Sequence, residues 1–290
     1  MGSMKSINTN KAFTLLEVAI GIIAIALIIG ALQISKKLIS NTENLVALNQ
    51  QDNAWDTSSS EEGGEEESSG LPYTSGLVLW LDASDADTIT EADSTVTVWA
   101  DKSSSGNDAL APASVSNRPT YGTVDAETFP GLNVVNFEST EYMLLTNAIN
   151  LTDSTVFVVA EQNGSNGRVL AAATANIHYV RYRNSKVVIQ DDGFNGYTYD
   201  ITTYDEKIVV VANDATNSTR ELFVDGSSIS SAVTYSGNIT PDAMGYHNGQ
   251  AQGEFYAAEI LIYDRLLTSS EIDQMETYLS DKWNVTLDGL

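Results

Sequence analysis

The sequence predicts a mainly β protein: an antiparallel β-sandwich behind a long N-terminal α-helix, closed by a short C-terminal helix. Three observations predict it. Short runs rich in Val, Ile, Tyr and Phe recur from Gly76 to Leu290 between Gly, Asn, Asp and Ser turn signals. An apolar stretch of helical length precedes them, with no polar side chain from Val18 to Leu32. A helix-start signature at Thr268 opens a stripe of apolar residues at helical spacing. No long helical pattern alternates with the β runs, which argues against a parallel α/β sheet.

Four segments follow from this reading: a leader over 1–12, a transmembrane and stalk helix over 13–54, an acidic Ser/Gly/Glu linker over 55–75, and a β-domain over 76–290. Extended back to Phe13, the apolar stretch is about 20 residues, or roughly 30 Å of helix, the thickness of a bilayer core. Its one charge is Glu17, and a carboxylate in lipid is costly unless paired. Leu38, Leu45 and Leu48 continue one helical face, and no Pro or Gly interrupts Ala31–Asn53. The linker segment Thr57–Gly70 has no apolar side chain, so it reads as an extended spacer whose glutamates repel one another.

Composition narrows the function. The 290 residues carry 14 Lys+Arg against 39 Asp+Glu, a net charge of −25, which argues against nucleic-acid binding. The absence of cysteine removes disulfides, thiolate metal sites and cysteine nucleophiles. With only His178 and His247, multi-histidine metal catalysis is nearly excluded, and both read as strand or loop residues without a role.

The stretch Lys11-Ala12-Phe13-Thr14-Leu15-Leu16-Glu17-Val18 resembles the processing site of type IV pilins and type II secretion pseudopilins. The resemblance implies cleavage between Ala12 and Phe13 by a prepilin peptidase and methylation of the new amine. It implies that Glu17 neutralises the terminal amine of a neighbouring subunit in a filament core, and two charges costly in an apolar medium do lower each other's cost by pairing. Ala12 departs from the glycine more common there. Either Met1 or Met4 serves as the start. The implied partners are copies of the chain or other pilins, the peptidase, and the inner membrane before export to a cell-surface filament. The small sheet that usually forms a pilin head is missing.

Over 76–290, with 10 basic and 30 acidic residues, the expected strands are Leu77–Leu81, Thr95–Trp99, Asn133–Phe137, Thr155–Ala160, Val169–Ala173, Lys186–Ile189, Lys207–Ala212, Arg220–Val224 and Phe255–Tyr263. Asp225-Gly226 is a hairpin turn. Thr268-Ser269-Ser270-Glu271 is a capping box, and Ile272, Met275, Leu279 and Trp283 form the stripe that packs the last helix on the sandwich. The stretches Gly76–Asp85, Val98–Ser103, Asn117–Tyr121 and Ala258–Arg265 are similar to those of concanavalin A-like, laminin G-like jelly-roll domains of bacterial surface proteins. That resemblance implies a jelly roll that holds a glycan or a surface protein, and often a calcium ion held by loop carboxylates and carbonyls.

The acidic loops offer two calcium candidates: Asp82, Asp85 and Asp87 with Asp101, and Asp191 with Asp192. Tyr179-Val180-Arg181-Tyr182-Arg183 alternates, which places Tyr179, Arg181 and Arg183 on one face and Tyr182 on the other. With Tyr197, these residues are the candidate ligand contacts, and the local positive patch suits a carboxylated ligand. No catalytic residue is expected. The nearest carboxylate pair, Glu254 and Glu259, is five apart and faces opposite sides of a regular strand, and no Gly-x-Ser-x-Gly elbow occurs. The expected function is a pilin-like filament subunit that displays a recognition domain for adhesion. The alternatives are a pseudopilin-like secretion component, a filament coat without ligand, and a surface-tethered polysaccharide hydrolase.

Overall fold

The computed structural model describes residues 70–124, 129–174, 178–184, 186–190, 196–200, 206–229, 233–234 and 239–288, which belong to one compact unit, Ser68–Leu290. The leader, the apolar helix and most of the linker, with Ala12, Phe13 and Glu17, lie outside the described residues, as do Asp191 and Asp192. Among the described residues, no helix is long and apolar enough to cross a membrane.

Among the described residues, two nine-stranded antiparallel sheets and one two-stranded sheet make up the domain. The first runs in spatial order Ser227–Ser228, Thr219–Val224, Glu206–Asp214, Ser154–Gln162, Phe255–Tyr263, Asn133–Phe137 and Thr120–Thr123. Leu77–Asp82 adds to it along Phe255–Tyr263. The second runs Gly196–Asp200, Lys186–Gln190, His178–Arg183, Asn166–Ala171, Ala243–Met244, Met143–Leu145, Ala109–Leu110, Thr95–Trp99 and Ile89–Ala92. Ser154–Gln162 and Phe255–Tyr263 are buried almost throughout, so they read as continuous apolar runs rather than alternating ones. One core joins the sheets, with Phe157, Val158, Leu261, Trp99, Met143 and Tyr182 all fully enclosed.

All nine expected strands form, with ends shifted by a few residues. The additional ones, such as Ile89–Ala92, Ala109–Leu110 and Ala243–Met244, are short or polar and leave no run for a periodicity to act on. Asp225 and Gly226 have φ of 49° and 78°, the doubly left-handed turn that matches strand twist. The helix Ser269–Trp283 begins at the capping box: the Glu271 amide donates to the Thr268 hydroxyl at 3.3 Å, and the Thr268 amide donates to Glu271 at 2.8 Å. Ile272, Met275, Leu279 and Trp283 are its buried face, as the spacing requires, and Glu276 is buried with them. Contacts with the sandwich reach back into the expected linker: Leu71 and Tyr73 pack against the core, and the Tyr73 carbonyl accepts from the Tyr263 hydroxyl at 2.8 Å.

Candidate functional site

The first acidic cluster is tied to lysines. The Asp82 carboxylate meets Lys102 at 3.1 Å and Lys282 at 2.9 Å, and Asp85 meets Lys102 at 2.8 Å. Asp101 accepts the amides of Trp80, Ser103 and Asn107, each at 2.8 Å, and so folds its own loop. Asp87 is exposed. Burial works to raise Asp82, but Lys282, Ser84 and Lys102 outweigh it and hold the carboxyl below its ordinary value. Among the described residues, no group of three or more His, Asp or Glu is placed to hold a metal ion. A cation at Asp82 would meet two ammonium groups already in place, and Asp82, Asp85 and Asp101 act here as anchors of the fold.

Glu259 extends that network. It is fully buried and accepts both indole N–H groups, Trp80 at 2.7 Å and Trp283 at 2.6 Å, while Lys282 lies 2.8 Å away. Burial pushes its carboxyl up, and Lys282 opposes the shift. Glu254 sits elsewhere, accepting from the Ser165 hydroxyl at 3.2 Å and the Asn166 amide at 2.7 Å. The structure therefore does not bring Glu254 and Glu259 together across a cleft.

The second cluster lies on His178–Arg183. The Tyr182 hydroxyl donates to the Ala160 carbonyl of the facing sheet at 3.0 Å, so Tyr182 points inward. Arg181 and Arg183 flank it and project to the other face, opposite Arg168 and Asn166 of the neighbouring strand. Tyr179 departs from the expected grouping. Register shifts between His178 and Arg181 break the alternation, and Tyr179 is buried with its hydroxyl accepting the Thr240 amide at 2.6 Å. Tyr197 lies in the strand Gly196–Asp200, and its side chain is outside the described residues.

Arg168, absent from the sequence reading, completes this cluster. It is 5% exposed and Arg181 is 7% exposed. The Arg181 Nε donates to Asn166 Oδ1 at 2.8 Å. The Nε and Nη1 of Arg168 are buried without a hydrogen-bond partner. Lys102, Lys207, Arg265 and Lys282 each meet a carboxylate, but no described carboxylate pairs with Arg168. Burial, then Arg181 and Arg183, pull its guanidinium down to about 9, and burial and Arg183 pull Arg181 down to about 10. Both stay charged at neutral pH.

A hairpin hangs on this strand. The Arg168 carbonyl accepts from Gly245 at 2.7 Å, and the Arg168 amide donates to Gln252 at 3.1 Å. The strands Tyr246–His247 and Gln250–Ala251 turn at Asn248 and Gly249, with φ of 45° and 76°. The hairpin sets His247 beside the arginines. Burial, Arg168 and Arg181 drive it down to about 4, so it is neutral at pH 7, and it has a place in the cluster that the sequence reading did not give it. Gly167 is required here, because a Cβ would lie 2.7 Å from the Glu254 carbonyl. The preceding loop, Gln162, Asn163, Gly164 and Ser165, lines an open hollow of about 290 Å³.

Fold and cluster define a mainly β, two-sheet antiparallel domain with a buried cationic site on one sheet. No family model matches the chain, and no curated protein matches it significantly. Among solved structures, it is similar to the ligand-binding domain of botulinum neurotoxin serotype D in complex with N-acetylneuraminic acid (13% identity, TM-score 0.47, 70% of this chain and 50% of that one). It is similar also to Trypanosoma rangeli sialidase in complex with sialic acid (14% identity, TM-score 0.49, 84% and 39%). The chain spans half or less of the length of these neighbours, and a likeness of this degree assigns no activity.

Proposed function

We propose that the chain is a pilin-like subunit of a cell-surface filament and that its sandwich is the displayed recognition domain, for adhesion through a glycan or a surface protein. The N-terminal half of the reading rests on the stretch Lys11–Val18 and the apolar span behind it. In it, the chain waits in the inner membrane, is cut between Ala12 and Phe13, and assembles through Glu17, and the acidic linker gives the domain reach. The observation that carries recognition is Arg168: it is buried without a counter-ion among the described residues, which destabilises a fold, so its retention points to a use outside folding.

The test has two parts. Mass spectrometry of the protein from cells should find a chain beginning at methylated Phe13, and Glu17→Ala should fail to enter filaments seen by electron microscopy. A leader still attached, or a Glu17→Ala variant that assembles normally, defeats the filament half. Filaments whose subunits lack 76–290 should no longer bind cells or a glycan array; undiminished binding defeats the recognition half.

A further inference from the structure

We infer that Arg168, Arg181 and Arg183, with Asn166, form a receptor for a single carboxylate carried on a sugar; this rests on the recognition reading and names its ligand class.

Four observations converge. Arg168 and Arg181 face each other across the register of adjacent strands, and Arg183 follows one turn of the pleat further on. Like charges directly opposite in a sheet are destabilising, and no described carboxylate pairs with Arg168. Arg168 is nine-tenths buried and leaves two nitrogens without acceptors. A guanidinium is a planar fork that matches a carboxylate through two parallel hydrogen bonds. Asn166 holds the Arg181 Nε, which fixes the direction of that side chain before any ligand arrives.

The surroundings select the kind of anion. The domain carries 30 acidic against 10 basic residues, so a polyanionic surface or an acidic protein face is repelled over most of its area. A molecule with one carboxylate on an otherwise neutral, hydroxylated body suffers least. Arg168, 5% exposed, lies below the reach of a flat protein surface. Polar groups for hydroxyls precede Arg168 in the chain, where the loop Gln162–Ser165 lines the hollow, with Asn163 bonded to Asn136 at 3.0 Å; Gln252 is held on Asn166. His247, neutral at pH 7, adds a polar edge without a fourth charge.

The experiment titrates the full-length chain in detergent with D-glucuronate, N-acetylneuraminate, D-glucose and a hexaglutamate peptide, by calorimetry, up to about 10 mM, since single sugars bind in the millimolar range. One or both acidic sugars should bind at least tenfold tighter than glucose, more weakly as salt rises. Arg168→Gln and Arg181→Gln should each lower affinity at least tenfold, and Arg168→Lys should recover only part of it. Without sugar, Arg168→Gln should melt no lower than the parent. Failure of both acidic sugars to bind, equal binding of glucose, preference for the peptide, or unchanged affinity in Arg168→Gln overturns the inference. So does a drop of several degrees in the melting temperature of Arg168→Gln, which would make Arg168 a structural cation. If Arg168→Gln filaments still bind cells or a neutral glycan at full strength, this inference falls and the displayed-domain reading stands.

Discussion

Two of the places where the domain buries charge treat it in opposite ways. Where the first strand meets the C-terminal helix, Asp82, Glu259, Lys102 and Lys282 alternate in sign, and two indole N–H groups complete the acceptors of Glu259. Lys102 also lies over the Trp80 ring, 4.3 Å from its centroid. On the second sheet, Arg168 and Arg181 are nearly as buried, are of one sign, and leave nitrogens of Arg168 without acceptors. A closed network makes the first site a fastener, whereas Arg168 leaves the second without closure among the described residues. Desolvation costs both, and among the described residues Arg168 has no carboxylate to offset it.

The largest expected effect breaks the fastener. Glu259→Ala leaves Lys282 and two indoles without their shared acceptor inside the core, and removing one partner of a buried pair costs about 3–5 kcal/mol. Urea unfolding followed by the fluorescence of Trp80 and Trp283 reads it directly. A loss below about 1 kcal/mol would mean that the network is not what joins helix to sheet.

Glu276 sharpens the comparison, because it is an anion buried near other anions on the fastener's own helix. It accepts the Gly226 amide at 3.2 Å, and burial, with Asp273 and Asp225, lifts its carboxyl to about 7. Lys207 lies 2.9 Å from Asp225 and so serves that carboxylate. A carboxyl raised on folding binds its proton more tightly in the native state than in the unfolded chain. Stability is therefore greatest below the ordinary value of 4.5 and falls as pH rises towards 7, by up to about 3 kcal/mol from this group. Glu276→Gln should flatten that slope and stabilise the protein at pH 8. Melts of parent and variant across pH 4–8 check it, and parallel slopes would refute it.

How far these features were legible depends on the distance between the residues that make them. The capping box, the Asp225-Gly226 turn and the apolar stripe are local, and each formed as read. The aspartates at 82, 85, 87 and 101 were visible as a cluster, but the pairing of Asp82 was not, because Lys282 arrives from 200 residues away. Arg181 and Arg183 were visible by alternation. Arg168 was hidden because its place opposite Arg181 depends on a strand pairing with two register shifts, which no periodicity encodes. The same shifts moved Tyr179 into the core. An isolated arginine in the otherwise apolar run Gly167–Ala173 was the one available signal.

A smaller effect tests the helix start that frames the fastener. Glu271 accepts from the Thr268 amide and holds both nitrogens of Arg265, at 3.0 and 2.8 Å, which depress its carboxyl to about 2. Glu271→Ala should cost about 1–2 kcal/mol at pH 7, the range of a lost cap. Because the folded value is depressed, this contribution is present above about 4.5 and lost as pH falls towards 2. Parent and variant should therefore converge in stability at pH 2, and a gap that persists there would place the effect elsewhere than in the ionised cap.

The last effect is the smallest and has the opposite sign. Arg168→Met keeps most of the stem that packs between strands and removes a cation that has no counter-charge among the described residues. Replacing buried ionic groups by apolar ones of similar size is neutral to stabilising, so a gain of about 1 kcal/mol is expected in urea unfolding at pH 7. The gain should be larger at low salt, where Arg181 and Arg183 repel Arg168 least screened. Glu259→Ala and Arg168→Met then shift stability in opposite directions although both remove a charge from the same core. A loss in both would erase the distinction between the two sites, because Arg168 would then be satisfied by the fold itself and have no need of a ligand.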